Sequence, residues 1–181
     1  MVSLRPLAAE ELALVERWLS EPHVARWFLA GSSLERELAD VRDSVLGQQR
    51  TQVLLVLEHD EPVGWCQWYR CEDDPEWAAE IGAADGDVGI DYAIGEPAAV
   101  GRGVGTELVA ALVRVVRAAH PSCGIVADPE AHNAASRRVL EKNGFKLAAV
   151  TAMDSEPTDE PMAVYRLAGD SPGGPVNTKL Q

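Results

Sequence analysis

The sequence predicts a single α/β domain: alternating apolar runs of strand period are interleaved with helical periodicity, and one strand leads through a glycine-rich turn into a long amphipathic helix. Its 181 residues suffice for one well-packed core and are few for two. Val2 to Leu7 opens as a short strand. Leu12, Val15, Trp18 and Leu19 then share one face of a helix over residues 10–19, and Pro22 separates it from a segment carrying Val24, Trp27 and Phe28. Ser32 and Glu35 have capping-box spacing ahead of a helix lined by Leu34, Leu38, Val41 and Val45, which stops at Gly47. Residues 51–58 and 63–69 read as a hairpin around the turn His59-Asp60-Glu61-Pro62. The acidic stretch 71–86 reads as a surface loop with a short helix around Trp77. Residues 87–94 alternate, with Val88, Ile90, Tyr92 and Ile94 on one face and Gly89, Asp91 and Ala93 on the other, so that one strand face carries a carboxylate. Leu108, Leu112, Val115, Val116 and Ala119 line the helix after the glycine turn. A short strand at 123–127 precedes a helix from an Asn133 N-cap to Lys142, closed by Asn143-Gly144. Strands at 145–150 and 162–167 complete the domain, expected over 1–168, and the Pro-, Gly- and polar-rich segment 169–181 is expected to be a flexible tail.

The formal net charge of -13 is concentrated in two places. Residues 71–101 hold nine acids and no Lys or Arg, and residues 151–165 hold four more under the same rule. Such a balance argues against nucleic acid and membrane surfaces as partners, since both attract clustered Lys and Arg. A cationic partner fits it, and so does a merely solubilising role for acidic loops. Cys66, Cys71 and Cys123 are odd in number and lack metal-ligand spacing, so they read as reduced thiols with no zinc site. The His residues show no ligand spacing either, and no metal is expected. No basic stretch followed by an apolar segment opens the chain, and no apolar run approaches membrane-spanning length, so a cytoplasmic location is expected.

The strongest local feature is Gly101-Arg102-Gly103-Val104-Gly105-Thr106 at the start of a helix. Glycines let a ligand approach the backbone, and the first helical N–H groups and the positive end of the helix dipole face any anion there. Pyrophosphate suits such a site, although a tight strand-to-helix turn explains three alternating glycines equally well. Thirty residues on stand Asn133-Ala134-Ala135-Ser136-Arg137 and Glu141-Lys142-Asn143-Gly144-Phe145. Together these motifs resemble the GCN5-related N-acetyltransferases (GNAT) over residues 3–168. The resemblance implies a mixed, mostly antiparallel central sheet with splayed strands flanked by helices, and acetyl-CoA as cofactor. It places cofactor contacts at Tyr92, Ala93 and Ile94 of the preceding strand, at Val100, Gly101, Arg102, Gly103, Val104, Gly105 and Thr106 of the turn, and at Asn133 and Ser136. Val100 departs from the family's Gln or Arg, which backbone amides can make good.

Within that family the sequence is similar to aminoglycoside 6'-N-acetyltransferases. Val24-Ala25-Arg26-Trp27-Phe28, Ser44-Val45-Leu46, residues 61–69, Gly89-Ile90-Asp91, Ala127-Asp128-Pro129 and Ala163-Val164-Tyr165 carry that likeness. It implies an enzyme that transfers acetyl directly to a primary amine of a polycationic small molecule, an antibiotic-resistance type of activity. Asp91 would contact that amine as general base or as anchor, and its ordinary pKa of about 3.9 favours anchoring unless burial raises it. Asp128 reads equally as a turn residue before Pro129 and as a substrate contact. Asp159 resembles a substrate-side acid displaced by one residue. Gln67 is a candidate contact to a sugar hydroxyl or amine, and Trp27 and Trp77 are candidate walls for sugar rings. Many relatives carry Tyr where this chain has Leu140, so the general acid is unassigned. Acetylation of a lysine-like siderophore precursor or a protein amine, and a catalytically impaired coenzyme A or drug-binding module, are the rival readings. The assembly expected is a monomer or homodimer.

Overall fold

The computed structural model describes residues 1–155 and 158–169. The expected tail is therefore, beyond Gly169, outside the described residues. One seven-stranded sheet organises the chain. Its strands are β1 (Val2–Pro6), β2 (Gln52–Glu58), β3 (Glu61–Arg70), β4 (Val88–Ile94), β5 (Ile125–Ala127), β6 (Lys146–Thr151) and β7 (Met162–Leu167), in the spatial order β1-β2-β3-β4-β5-β7-β6. Every pairing is antiparallel except β4 with β5. That parallel pairing lasts for two residues, Val88 with Ile125 and Gly89 with Val126, after which the strands diverge. A seam thus opens in the middle of the sheet.

The helices are α1 (Leu12–Leu19), α2 (Pro22–Phe28), α3 (Leu34–Val45), α4 (Pro75–Ile81), α5 (Val104–Ala119) and α6 (Ala134–Lys142). Because β2 is covered on both sides, its Val53-Leu54-Leu55-Val56 run is buried without alternation. Val53 and Leu55 join Trp65, Ala93, Val15, Trp18 and Val24 under α1–α3, whereas Leu54 and Val56 join Ile90, Leu108, Leu112 and Leu140 under α5 and α6. A third cluster seats Trp77 and Ile81 of α4 against Val126, Met162 and Val164. Among the described residues no helix is long and apolar enough to cross a membrane.

Three local expectations shift. The hairpin turns on two residues, His59 and Asp60, both at positive φ (53° and 67°), and Glu61 already pairs with Glu58. Pro62 therefore lies inside β3, at the register shift between Val56 and Leu57 where the ladder is already irregular. The cap of α3 is Ser33, whose side chain accepts from the Arg36 N–H, while Ser32 reaches the Glu37 carboxylate at 2.5 Å instead of forming a box with Glu35. The first helix begins at Leu12, after a 3-10 turn over Ala9–Glu11.

Candidate active site

Asp91 and Tyr92 are consecutive residues of β4 and point to opposite faces of the sheet, both on the β4 bank of the seam. Asp91 lies in register with Gln67 of β3, beyond the ends of the helices that cover the Trp65 and Ala93 rows. The Gln67 amide donates to Asp91 Oδ2 at 2.8 Å, and Tyr69 also hydrogen-bonds this carboxyl. Burial pushes Asp91 up to about 6; the Gln67 hydrogen bond opposes the rise and the nearby Asp128 charge adds to it. A carboxyl at that value is a stronger base than one at the ordinary value of about 3.9.

Asp128 follows β5 directly, on the far bank of the seam. Its Oδ2 accepts from Trp77 Nε1 at 2.8 Å, and burial raises its pKa despite that bond. Trp77 is buried, with its ring tilted against Tyr69 at 5.5 Å between centroids, so besides lining a cavity it holds Asp128 through its indole N–H. Gly89 makes this possible: a Cβ there would stand 2.5 Å from the Tyr69 ring and 2.9 Å from that of Trp77.

Two connected cavities open over this floor. One, of about 460 Å³, is lined by Trp27, Phe28, Glu37, Asp40, Gln67, Asp91, Asp128 and Glu130 among others. The other, of about 500 Å³, shares Gln67, Tyr69, Asp74 and Asp91 and extends to Asp73, Trp77 and Arg50. The sequence reading missed Glu37, Asp40, Asp74 and Glu130 as cleft acids. Glu37 and Asp40 stand three apart on the polar side of α3, a visible signal of amphipathicity that does not say what the polar side faces. Conversely, much of the acidic segment 71–101 is spent elsewhere: Asp87 binds Arg166 and the N–H groups of Ala84 and Gly124, and Glu96 takes Trp18 Nε1 and Arg17. Asp159 is exposed and lines neither cavity, whereas its neighbour Thr158 does.

Through the seam lies a third cavity, of about 330 Å³, lined by His23, Trp27, Tyr92, Ala93, Ile94, Val100, Gly101, Gly103, Gly105, Thr106, Asn133, Ser136, Arg138 and Lys142 among others. Gly101 and Gly103 sit at φ 77° and 91°, conformations glycine adopts without strain, and Gly103 is the N-cap of α5, whose first N–H groups have no partner within the helix. A Cβ at either would meet no atom within 4 Å, so the backbone here is open to a ligand. Val104 is buried beneath the turn, and the Arg102 guanidinium pairs with Glu58 at 3.1 and 3.4 Å, away from this cavity's lining. Asn133 caps α6 by accepting from the Ser136 N–H at 3.1 Å. Leu140 is completely buried in the core under α5 and α6. Backbone amides, two basic residues on α6 and an apolar channel suit a pyrophosphate with a long arm.

The match to known families now has a place to stand. Residues 8–153 match the acetyltransferase (GNAT) domain model. The chain belongs to the GNAT acetyltransferase family. It is 32% identical over 151 residues, 80% of this chain and 74% of the relative, to aminoglycoside N(6')-acetyltransferase type 1 of Klebsiella pneumoniae. The crystal structure of aminoglycoside acetyltransferase AAC(6')-Ib in complex with coenzyme A superposes with a TM-score of 0.79 at 28% identity, covering 93% of this chain and 95% of that one. The same enzyme in complex with paromomycin and acetyl-CoA gives 0.79 at 28% identity over 92% of this chain and 93% of that one. This GNAT chain is thus an acetyltransferase with its sheet split between Asp91 and Asp128, a cleft rich in carboxylates on one side and an open glycine turn on the other.

Proposed function

We propose that the protein transfers the acetyl group of acetyl-CoA to a primary amine of an aminoglycoside, at the 6'-position, and does so in the cytoplasm as a resistance activity within a domain spanning residues 1–168. The observation that carries this reading is the pair Asp91 and Asp128 on facing banks of the seam, with Glu37, Asp40, Asp74 and Glu130 around them. A molecule with several ammonium groups complements that arrangement, and the relatives bear aminoglycoside names.

The cofactor, when bound, supplies an activated acetyl group. The N–H groups at Gly103, Val104 and Gly105 would hold its pyrophosphate, and the β4 backbone at Tyr92–Ile94 its arm. Asp91 binds the ammonium; one proton leaves to solvent to give the free amine that attacks, and Asp91, a carboxylate at about pH 6 and above, takes the second proton, which the nitrogen loses on acylation. Gln67 holds one carboxylate oxygen and Trp77 holds Asp128, so both anions are oriented before the amine arrives. Transfer is direct. Cys71 is buried, with its thiol pushed up to about 12, and burial drives Cys66 higher still, so neither is an activated nucleophile.

Assays with acetyl-CoA and kanamycin, tobramycin, spermidine or a lysine peptide, with the acetylated nitrogen located by NMR, test the reading. Turnover on aminoglycosides at the 6'-nitrogen is expected. Turnover confined to the peptide would assign the lysine-type substrate, and drug binding without product would leave a binding protein.

A further inference from the structure

The substrate cleft and the cofactor cavity meet at one place, where Trp27, Phe28, Tyr92, Asn133 and Ser136 line both. Acetyl transfer must happen at such a junction, because the amine reaches it from one side and the thioester from the other. At that point the reaction needs a hydrogen-bond donor for the sulfur that leaves. Asn133 Oδ1 is engaged as the cap of α6. Tyr92 Oη and Ser136 Oγ lie 2.6 Å apart, and the Tyr92 hydroxyl donates to the Ser136 carbonyl oxygen at 3.3 Å. With the Ser136 hydroxyl donating to Tyr92, the phenolic hydrogen is held only by the long 3.3 Å contact to that carbonyl and can turn to a sulfur entering the junction.

We propose that Tyr92 is the proton donor to the departing sulfur, with Ser136 as its positioning and relay group. The proposal rests on the acetyl-transfer reading above. As the carbon–nitrogen bond forms and the carbon–sulfur bond breaks, the electron pair leaves with sulfur and Tyr92 passes its hydrogen to it. Asp91 receives the proton released by the nitrogen, and solvent restores the Tyr92 proton through Ser136. One proton has then moved from amine to thiol. Burial pushes the Tyr92 hydroxyl above its ordinary value, keeping it protonated. The same burial penalises a thiolate in the junction, which favours handing the proton over.

Calorimetry with coenzyme A and with desulfo-coenzyme A, on the wild type and on Tyr92→Phe, tests the contact without turnover. The wild type is expected to bind coenzyme A about fivefold more tightly than the desulfo compound, and Tyr92→Phe to lose most of that preference. Turnover by Tyr92→Phe should fall about 100-fold with the acetyl-CoA KM unchanged, and by Ser136→Ala about tenfold. A preference for sulfur that survives in Tyr92→Phe, equal weakening of both compounds, or an unchanged kcat overturns the assignment. If aminoglycosides are inert but the coupling is found, the substrate reading fails and the Tyr92 assignment stands.

Discussion

On the cofactor side of the seam the protein presents backbone: outward amides at the start of α5 and two residues of positive φ that leave them uncovered. On the substrate side it presents side chains, carboxylates brought from α3, β4, the β5 end and the approach to α4. Backbone recognition depends on chain conformation and is indifferent to most side chains, which is why Val100 can stand half-exposed where the family has a polar residue. Side-chain recognition has the opposite sensitivity. Replacing a carboxylate by its amide leaves the shape and removes the attraction.

Substitutions that respect one material and break the other sharpen this contrast. Asp91→Asn should have the largest effect, lowering turnover about 10²- to 10⁴-fold while calorimetric binding of acetyl-CoA is unchanged. In the wild type, kcat/KM should rise with pH through an apparent pKa of about 6, the value burial gives Asp91. The same group affects stability with a fixed sign. Its folded pKa exceeds its unfolded one, so stability is greatest below about pH 4 and is lost as pH rises through about 6. Thermal unfolding should therefore find Asp91→Asn gaining on the wild type between pH 4 and pH 7, by on the order of 1–2 kcal/mol after allowing for the cleft's access to water.

Gly103→Val comes next. A β-branched residue at φ 91° is strained and would turn the first amides of α5 away. The acetyl-CoA KM should rise about 10- to 100-fold, with drug affinity measured by calorimetry unaffected. Asp128→Asn should reverse that pattern, raising the drug KM about tenfold and sparing the cofactor, and it should move the Asp91 limb of the pH profile below 6 because one repelling charge is gone. Arg102→Ala should be the mildest. Its guanidinium is engaged with Glu58, and an acetyl-CoA KM within about threefold of wild type is expected.

The same contrast explains what could be read from the sequence. The glycine turn, the Asn133 cap and the strand carrying Asp91 are each contiguous, so period and spacing reveal them. The raised pKa of Asp91 was not legible, because burial and the approach of Asp128 are properties of the assembled sheet. Nor could Glu37 and Asp40 be told from an ordinary solvated helix face. Trp77 stands out in the sequence for its ring, whereas its indole N–H bond to a residue 51 positions away appears only once the chain is folded. The shift of the α3 cap from Ser32 to Ser33 shows the limit of motif spacing at a helix start, where two adjacent serines compete and tertiary contacts choose.

Two residue pairs join β4 to β5, so the sheet consists of two panels whose strands meet over Val88 and Gly89. Asp91 belongs to one panel and Asp128 to the other, and Asp128 is clamped to the Trp77 indole. An ammonium held between these carboxylates ties the panels together like a rivet. With the amine so held, grip on it and the gap between the panels would be a single mechanical variable, and the sheet itself would gauge substrate width.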